Sequence, residues 1–430
     1  MKLAMISMGC IKEDAMQDCL VKKMKEYNIT RATSLEEADH LLYITCAGVG
    51  DTINKIQKEM MFFDYYTKKS NMKVIVVGCL LLQHPYLFDR YKDNPNMIFI
   101  KEKEWVLPII NYLKDMSLET TDIELLYNRT YSLDKNNICL QFMLQEGCNN
   151  KCTFCKVHYI DSKLSSVPFS LALSYLTNLV KQGTKIISLN GDNLTLYGID
   201  LYGRQRLHEF IHELSKVEGL EMICLDELVP GNMYKELLDE IITNPKVRNV
   251  GMQLETASNK LLKLMNRNYS IEEFDSYAKK ILENGIYMDT ILMSGFPTET
   301  VEDMDLTLKY LEDRKIVDQG VCEYTDFYLI PSSKLEQLSK REKKAHTRYL
   351  VDGRNRINYG IFQSELGKQS KFIYKGTFQG YHYFYTEIPQ VIVISRSPKY
   401  DNLEMGTIIE TKPKCFVKHS GITKKATYKI

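Results

Sequence analysis

The stretch Glu146-Gly147-Cys148-Asn149-Asn150-Lys151-Cys152-Thr153-Phe154-Cys155 puts three cysteines at C-x3-C-x2-C on one short loop, just after the apolar run Ile138 to Leu144. Three thiolates are one fewer than a closed structural zinc site uses, and zinc pairs are more often spaced C-x2-C. A four-iron cluster can be held by three cysteines, with one iron left open to a substrate or cofactor. Three bare thiols crowded on an exposed loop would be a reactive liability. The spacing therefore ties the fold of this chain to an inorganic centre.

With Phe154 directly before the last cysteine, the loop resembles the signature of the radical S-adenosylmethionine (SAM) superfamily. The resemblance implies that SAM chelates the open iron through its amino and carboxylate groups. An electron from the cluster then cleaves SAM to a 5'-deoxyadenosyl radical, so an external electron donor is expected. At 430 residues the chain is too long for one ordinary core, and two or three domains are expected. The longest nearly unbroken apolar run, Val74 to Leu82, is far short of a membrane span, and Met1-Lys2-Leu3 leads straight into a strand rather than a signal peptide. The expectation is a cytoplasmic protein with no membrane partner. In that compartment eleven cysteines argue for metal or redox chemistry over a disulfide framework. The net charge of +1 identifies no partner.

Residues 1–115 read as a small parallel α/β domain. Short β-rich runs (Leu3 to Met8, Leu41 to Thr45, Val74 to Val77, Met97 to Ile100) alternate with helical stretches, the pattern of a doubly wound sheet. Ser34-Leu35-Glu36-Glu37 has capping-box form and predicts a helix start, and Met16 to Tyr27 carries apolar residues at helical spacing. Cys10, Cys46 and Cys79 each follow the carboxyl end of a strand, the ligand-binding edge of such sheets. Taken singly each could be a small buried hydrophobe. Taken together, with Gly9, Gly48 and Gly78 beside them, they read as ligands of a second three-cysteine cluster. Cys19, Cys139, Cys224, Cys322 and Cys415 sit singly in apolar or strand-like runs and read as packing.

A polar connection, Met116 to about Asn137, leads into residues 136–350. There six strand candidates alternate with helices: Ile138 to Leu144, Lys185 to Leu189, Met222 to Leu225, Val247 to Leu254, Tyr287 to Met293 and Val321 to Tyr328. Six βα units make a partial (β/α)6 barrel, whose chemistry collects at the carboxyl ends of its strands. Ser270-Ile271-Glu272-Glu273 and Thr300-Val301-Glu302-Asp303 read as helix N-termini. Asn190-Gly191-Asp192-Asn193 follows the second strand. Gly191-Asp192-Asn193 either approaches the SAM amino group, as a glycine-rich turn does at this place in related barrels, or forms an ordinary turn.

The order of these parts resembles the radical SAM methylthiotransferase family over essentially the whole chain. The matching pieces are Gly9-Cys10, Thr45-Cys46 and Gly78-Cys79, then the Cys148/Cys152/Cys155 loop, Gln253-Leu254, Leu261 to Arg267, and Ser294-Gly295-Phe296-Pro297-Thr298-Glu299-Thr300. The resemblance implies two 4Fe-4S clusters, one on Cys10, Cys46 and Cys79 and one on Cys148, Cys152 and Cys155. It also implies SAM-facing roles for Phe154, Gln253 and Arg267, the arginine against the SAM carboxylate. Solvated surface is the alternative for Arg267. One SAM would methylate sulfur carried on the first cluster, and a second SAM on the other cluster would yield the radical that opens a C–H bond.

The chain also departs from the family. An arginine-glycine pair and a serine-arginine pair are expected after the third cysteine, where Asp161-Ser162 and Ser166-Val167 stand. Asparagines are expected at Ile44 and at Glu13. These positions surround the clusters without holding iron, so they bear on the substrate. Gly9-Cys10-Ile11-Lys12 and Tyr197 to Gly203 look more like the branch that methylthiolates an aspartate of a ribosomal protein. A protein or peptide substrate is therefore expected, with transfer RNA as the alternative. From a different class, an iron-sulfur electron carrier or sensor would keep the clusters without the reaction, but such a carrier usually has four cysteines per cluster.

From about Gly367 the pattern changes to short β-rich runs broken by glycine and proline: Phe372 to Tyr374, Tyr381 to Thr386, Val391 to Ser395 and Thr407 to Thr411. Residues 367–430 read as a small antiparallel β-barrel resembling the family's TRAM domain, an oligonucleotide-binding-like module. Residues 368–430 hold eleven Lys or Arg against four Asp or Glu, a net +7 that leaves −6 for the rest. Phe372, Tyr374, Phe378, Tyr381, Tyr383 and Tyr385 could stack on single-stranded RNA. They could equally be the two faces of a small barrel, and an acidic peptide would suit the charge as well.

Overall fold

Apolar strands separated by helices build the first of two units, Met1–Tyr131. Its strands are β1 (Lys2–Ser7), β2 (Thr30–Arg31), β3 (His40–Thr45), β4 (Lys73–Gly78) and β5 (Met97–Phe99), and its helices α1 (Ile11–Glu26), α2 (Gly50–Thr67), α3 (Cys79–Gln83) and α4 (Val106–Lys114). The computed structural model describes the chain apart from residues 9–10, 47–49, 120, 122–125, 135, 158–162, 327–329, 390 and 418–425, and apart from the side chains at 11, 12, 14, 50–52, 416, 417 and 426. The strands run parallel in the order β2-β1-β3-β4-β5, the flavodoxin-like arrangement expected from the sequence.

Period-two alternation sends Leu42, Ile44, Ile75 and Val77 to one face, against Met16 and Leu20 of α1 and Ile109 and Ile110 of α4. Leu41, Tyr43, Val74 and Val76 go to the other face, against Ile56, Met60 and Phe63 of α2. Burying a large apolar side chain contributes about 1.5–3 kcal/mol, so a sheet covered on both faces reads as continuous apolar runs. Ile44 is one of these fully buried side chains, so its departure from the family's asparagine is a matter of packing.

The predicted helix start at Ser34 does not occur. Residues 33–37 form a bend and a turn in which the Glu37 carboxylate accepts from the Thr33 backbone N–H and hydroxyl and pairs with Lys2 at 2.9 Å. The Thr33 hydrogen bonds and the Lys2 ammonium hold Glu37 down to about 2. Local side-chain bonds of this kind compete with helix initiation, and the connection between β2 and β3 is too short to propagate one.

The second unit, Ser132–Ile430, opens with β6 (Cys139–Glu146), α5 (Phe169–Lys181), β7 (Ile186–Gly191), α6 (Leu207–Ser215), β8 (Met222–Leu228), α7 (Lys235–Thr243), β9 (Val247–Met252), α8 (Asn259–Leu264), α9 (Ile271–Glu283), β10 (Tyr287–Ser294), α10 (Val301–Arg314), β11 (Val317–Glu323) and α11 (Lys340–Ser364). Strands β6 to β11 pair in chain order, each parallel to the next, as a partial barrel. The last strand begins four residues earlier than the sequence suggested, and Tyr328, its expected end, lies outside the described residues. The two predicted caps are present. Ser270 accepts from the Glu273 N–H, and Thr300 and Asp303 form a reciprocal capping box.

The tail adds β12 (Ser370–Phe378), β13 (Tyr381–Tyr385), β14 (Val391–Ser395), β15 (Ile408–Thr411), β16 (Cys415–Val417) and β17 (Ala426–Lys429), in the sheet order β15-β12-β13-β14-β17-β16. Its pairings are antiparallel except for β14 with β17, which run parallel. Ile373 and Tyr385 pack with Ile138, Cys139, Ile186 and Met222, at the amino-terminal ends of barrel strands. Two polar ties reinforce this contact: the Tyr385 hydroxyl to Asp134 at 2.7 Å, and Arg248 to Glu387 at 2.6 Å. The tail therefore covers the barrel rim opposite the strand ends that carry the cysteine loop. Phe372, Tyr374 and Tyr383 are buried, and Phe378 is 60 % exposed, so the aromatic alternation is mainly that of a core. Cys322 and Cys415 are exposed, contrary to the packing role expected for them, because each lies near the end of a strand at a sheet edge.

Candidate iron-sulfur and SAM site

Strand β6 ends at Glu146, and Gly147 turns the chain with φ 77°, a left-handed conformation suited to glycine. The Gly147 N–H donates to Asp192 Oδ2 at 2.7 Å. Fully buried Gln145 clamps the turn: its amide donates to the Glu146 and Gly147 carbonyls at 2.6 Å each, and its Oε1 accepts from the Asn193 N–H at 3.0 Å. A Cβ on Gly191 would lie 2.9 Å from Gln145 Oε1 and 3.0 Å from its carbonyl oxygen, so glycine is needed there for close approach of β6. Gly191 and Asp192 thus shape and hold the cysteine loop.

The loop's far side is tied to α8 and the segment after it. The Thr153 N–H donates to the Met265 carbonyl at 2.9 Å, and its hydroxyl to Leu264 at 2.9 Å, while Asn266 donates to the Lys151 carbonyl at 2.7 Å. Phe154 packs on a cluster of Leu261, Met265, Phe296 and Tyr324, which gives the glycine-phenylalanine-proline segment a structural link to the cysteines. Cys148 and Cys152 are buried and Cys155 half-buried. Burial pushes the Cys148 thiol up and raises Cys155 to about 12.

Two donors face the sulfurs. Asn193 Nδ2 lies 3.7 Å from Cys148 Sγ, and Arg267 Nη1 lies 3.3 Å from Cys152 Sγ. Asn193 and Asn150 both donate to Asn232 Oδ1 at 2.9 Å. Arg267 is buried, not solvated. Its Nε donates to the Tyr269 hydroxyl at 3.1 Å and its Nη2 lies 3.4 Å from Glu255 Oε1. The Gln253 carbonyl accepts from Tyr269 at 2.8 Å and from Arg267 at 3.4 Å, so the backbone of Gln253, rather than its side chain, orients the guanidinium.

Carboxyl groups line the barrel beside this loop. Glu227 and Glu255, at the ends of successive strands, both have φ 61°, which is uncommon for residues other than glycine. Burial, with repulsion from Asp226, Glu255 and Asp192, pushes Glu227 up to about 8. Burial raises Asp226, and burial with repulsion from Asp226 raises Asp289 as well. Ser166, at the second family departure, takes part in a structural joint: its N–H and hydroxyl donate to Asp200 at 2.8 and 2.6 Å, and Val167 beside it is fully buried. Asp161 and Ser162 lie outside the described residues.

In the first unit, Thr45 pairs in register with Gly78, so Cys46 and Cys79 leave adjacent strands side by side. Gly78 has φ 97°, and a Cβ there would meet the Thr45 carbonyl oxygen at 2.4 Å. The Cys79 thiol donates to Glu13 Oε1 at 3.4 Å. Cys10 lies outside the described residues.

Residues 142–311 match the family described as the radical SAM superfamily, and residues 2–99 match the uncharacterized protein family UPF0004. Each match contains one of the two cysteine sets. Ribosomal protein uS12 methylthiotransferase RimO of Clostridium botulinum is 29% identical over 96% of this chain and 95% of its own length. The enzyme of the same name from Carboxydothermus hydrogenoformans is 26% identical over 95% and 96%. This chain belongs to the radical SAM methylthiotransferase family.

The fold agrees with that assignment. The radical SAM methyltransferase TsrM of Kitasatospora setae, solved with cobalamin and a [4Fe-4S] cluster, superposes with TM-score 0.53 at 12% identity over 77% of this chain and 76% of that one. The cobalamin-dependent radical SAM enzyme OxsB superposes with TM-score 0.50 at 13% identity, over 83% of this chain. This chain spans only 56% of the length of OxsB.

As a methylthiotransferase the protein uses SAM and iron-sulfur clusters, and the residues present fit them. Cys148, Cys152 and Cys155 share one loop with an amide and a guanidinium aimed at two of the sulfurs, which favours thiolates. Among the described residues no three His, Cys, Asp or Glu side chains converge on a single-ion position. In a four-iron cluster each thiolate takes a different iron, so such convergence is not required. No described helix is long and apolar enough to cross a membrane. Sequence reasoning missed Gln145, Asn232, Glu227, Glu255 and Tyr269; Asn193 lies in the turn it singled out, but donates to Asn232 and faces Cys148. Only Tyr269, two residues after Arg267, left a local signal.

Proposed function

We propose that this methylthiotransferase inserts a methylthio group at an unactivated C–H bond of a protein or peptide side chain, of the kind that an aspartate of ribosomal protein uS12 presents. The observation that carries this reading is the nearly full-length match to enzymes named for that substrate, 96% of this chain against 95% of the relative. The mainly buried aromatics of the tail support it, since they withdraw the stacking surface a transfer RNA substrate would use. Action in the cytoplasm, with an external electron donor, follows from the same reading.

In this assignment Cys148, Cys152 and Cys155 hold the cluster that receives SAM, and Cys10, Cys46 and Cys79 hold the auxiliary one. When bound, the clusters supply electron transfer to SAM and a site for the transferred sulfur. The chain's own residues orient and exclude water. Gln145, Gly191 and Asp192 fix the turn of the cysteine loop. Arg267, steadied by Gln253, Glu255 and Tyr269, places positive charge at the Cys152 sulfur and against the SAM carboxylate. Phe154 closes the apolar side.

Anaerobic reconstitution with SAM and a reductant, offering a uS12 peptide and transfer RNA separately, tests the reading by mass spectrometry. A methylthio mass increase on the peptide is expected. Modified adenosine in transfer RNA digests alongside an unmodified peptide would reverse the choice. Loaded protein should carry about eight irons per chain. Replacing Cys148, Cys152 and Cys155 by alanine should halve the iron and abolish SAM cleavage.

A further inference from the structure

Helix α11 starts on the barrel rim that carries the cysteine loop. A capping box of Ser339 and Glu342 opens it. In its second turn the Thr347 hydroxyl meets that of Ser294, the last residue of β10, at 2.7 Å and the carboxylate of Glu323, the last residue of β11, at 3.1 Å. Ahead of the helix, Ser332 donates its N–H at 3.1 Å and its hydroxyl at 2.8 Å to the carbonyl of Thr153, which lies between Cys152 and Cys155. Further down, Arg354 and Asn358 both donate to the Asp318 carbonyl at 2.8 Å, near the amino end of β11. The helix therefore descends from the carboxyl ends of the strands, and its first turns share a rim with the cysteine loop.

Residues 340–348 hold five Lys or Arg against one Glu, a net +4. Lys343 turns toward the barrel, its ammonium 4.7 Å from the centre of the Tyr324 ring. Arg341, Lys344 and Arg348 are exposed, and none makes an ion pair or a side-chain hydrogen bond among the described residues. With Ala345, Tyr349 and Asp352 they line an open groove of about 450 Å³. Spaced at three and four residues, these cations repel one another along the helix, and they stand at its amino-terminal end, where the macrodipole is positive. Both effects oppose folding, and a polyanion in the groove reverses both.

The layout of the groove selects among polyanions. From Arg341 to Arg348 the helix rises about 10 Å, so the three cations meet successive charges of an extended chain. The planar forks of the two arginines suit phosphate oxygens. Tyr349 is 41% exposed beside them, and its hydroxyl is held by Asp305 of α10. A ring anchored at its hydroxyl and exposed next to cations is a stacking platform for an unpaired base. An acidic peptide uses the cations and leaves the ring without a role.

We propose that the outward face of α11 over residues 341–349 binds the phosphate backbone of a single-stranded RNA segment, with Tyr349 stacking on one base. The RNA is a neighbour of the modified side chain and not the modified molecule. RNA binding here stands apart from the substrate reading above; only its combination with that reading, a protein target presented on RNA, rests on it.

The test is binding of a labelled single-stranded RNA of about ten nucleotides to the full chain, isolated anaerobically, followed by fluorescence anisotropy over a salt series. Arg341→Gln, Lys344→Gln and Arg348→Gln combined should weaken binding about tenfold or more at low salt. They should also lower the slope of log affinity against log salt by about 2, at about 0.7 per phosphate of a single strand. Tyr349→Ala should cost roughly fivefold or more, while Tyr349→Phe should stay within about twofold. All four side chains are exposed, so the variants keep the fold, which circular dichroism checks. A triple variant with the parent's affinity and slope would place the RNA elsewhere, such as on the basic tail, and overturn the proposal. No binding at low salt would overturn it as well. Displacement of the RNA by an acidic peptide of equal charge at equal concentration, or a Tyr349→Ala variant of unchanged affinity, would overturn the choice of RNA in favour of an acidic chain. Failure of peptide methylthiolation bears on the substrate reading alone and leaves this measurement standing.

Discussion

Arg267→Met should be the most costly single change beside the Cys148/Cys152/Cys155 loop. Arg267 and Glu255 are 7% and 12% exposed and 3.4 Å apart. At that distance, with an effective dielectric constant of about 20, opposite unit charges attract by about 5 kcal/mol. Desolvation of both groups offsets most of that, but removing one partner leaves the other charge buried and unpaired, at about 3–5 kcal/mol. Glu255→Gln should cost a similar amount by stranding the guanidinium. The double variant removes both charges and should recover part of the loss, with a coupling of about 2–3 kcal/mol. Arg267→Lys keeps the charge without the planar fork that serves Tyr269, Gln253 and the Cys152 sulfur together, and should fall between. Because the only tryptophan lies in the first unit, hydrogen exchange of peptides spanning residues 145–155 and 247–269 in the metal-free protein reads the second unit by itself. A loss below about 1 kcal/mol for Arg267→Met, or additive single effects, would refute the claim that this buried pair holds the loop.

Three further outcomes follow from particular contacts. Gly78→Ala combines φ 97° with a 2.4 Å approach to the Thr45 carbonyl, so it should destabilise the first unit by about 3 kcal/mol or more and lower auxiliary iron content; urea unfolding followed by Trp105 fluorescence, with iron analysis, checks this, and a near-neutral result would count against the close approach of the two strand ends. Glu227 is raised from 4.5 to about 8, so the stability contributed by its neutral form is present in full below pH 4.5 and lost as pH rises through 8. Glu227→Gln should flatten that dependence, gaining about 2–3 kcal/mol at pH 8 over pH 5 after allowing for partial solvent screening, and parallel pH profiles from calorimetry would contradict it. Tyr385→Phe removes the bond to Asp134 at the tail's seat on the barrel and should cost about 1–2 kcal/mol, seen as faster hydrogen exchange in residues 134–142; unchanged exchange would mean that apolar packing alone seats the tail.

The elements with the strongest local patterns were legible. The flavodoxin-like order follows from apolar runs buried on both faces, the Ser270 and Thr300 caps follow from hydrogen bonds spanning three residues, and three cysteines within eight residues fall on one loop after the first barrel strand. The Ser34 start was misread because its capping residues bond within a turn that leads into a strand. The short strands β16 and β17 carry too few residues to show a period, and β17 joins β14 in a parallel pair that no local signal encodes.

What the sequence by itself determined is the inventory and the order: which residues can hold iron, which runs must be buried, and where strands end. Those properties depend on side-chain chemistry and on neighbours a few residues away. The tertiary structure decided what the ligands meet. Asn193 and Asn232 reach the loop from strand ends far along the chain, Arg267 turns out to be paired with Glu255 and braced by a backbone carbonyl, and Glu13 meets Cys79 across 66 positions of sequence. Contacts of this kind arise because parallel strands bring their carboxyl ends to one edge, and that edge collects residues by register and not by sequence distance.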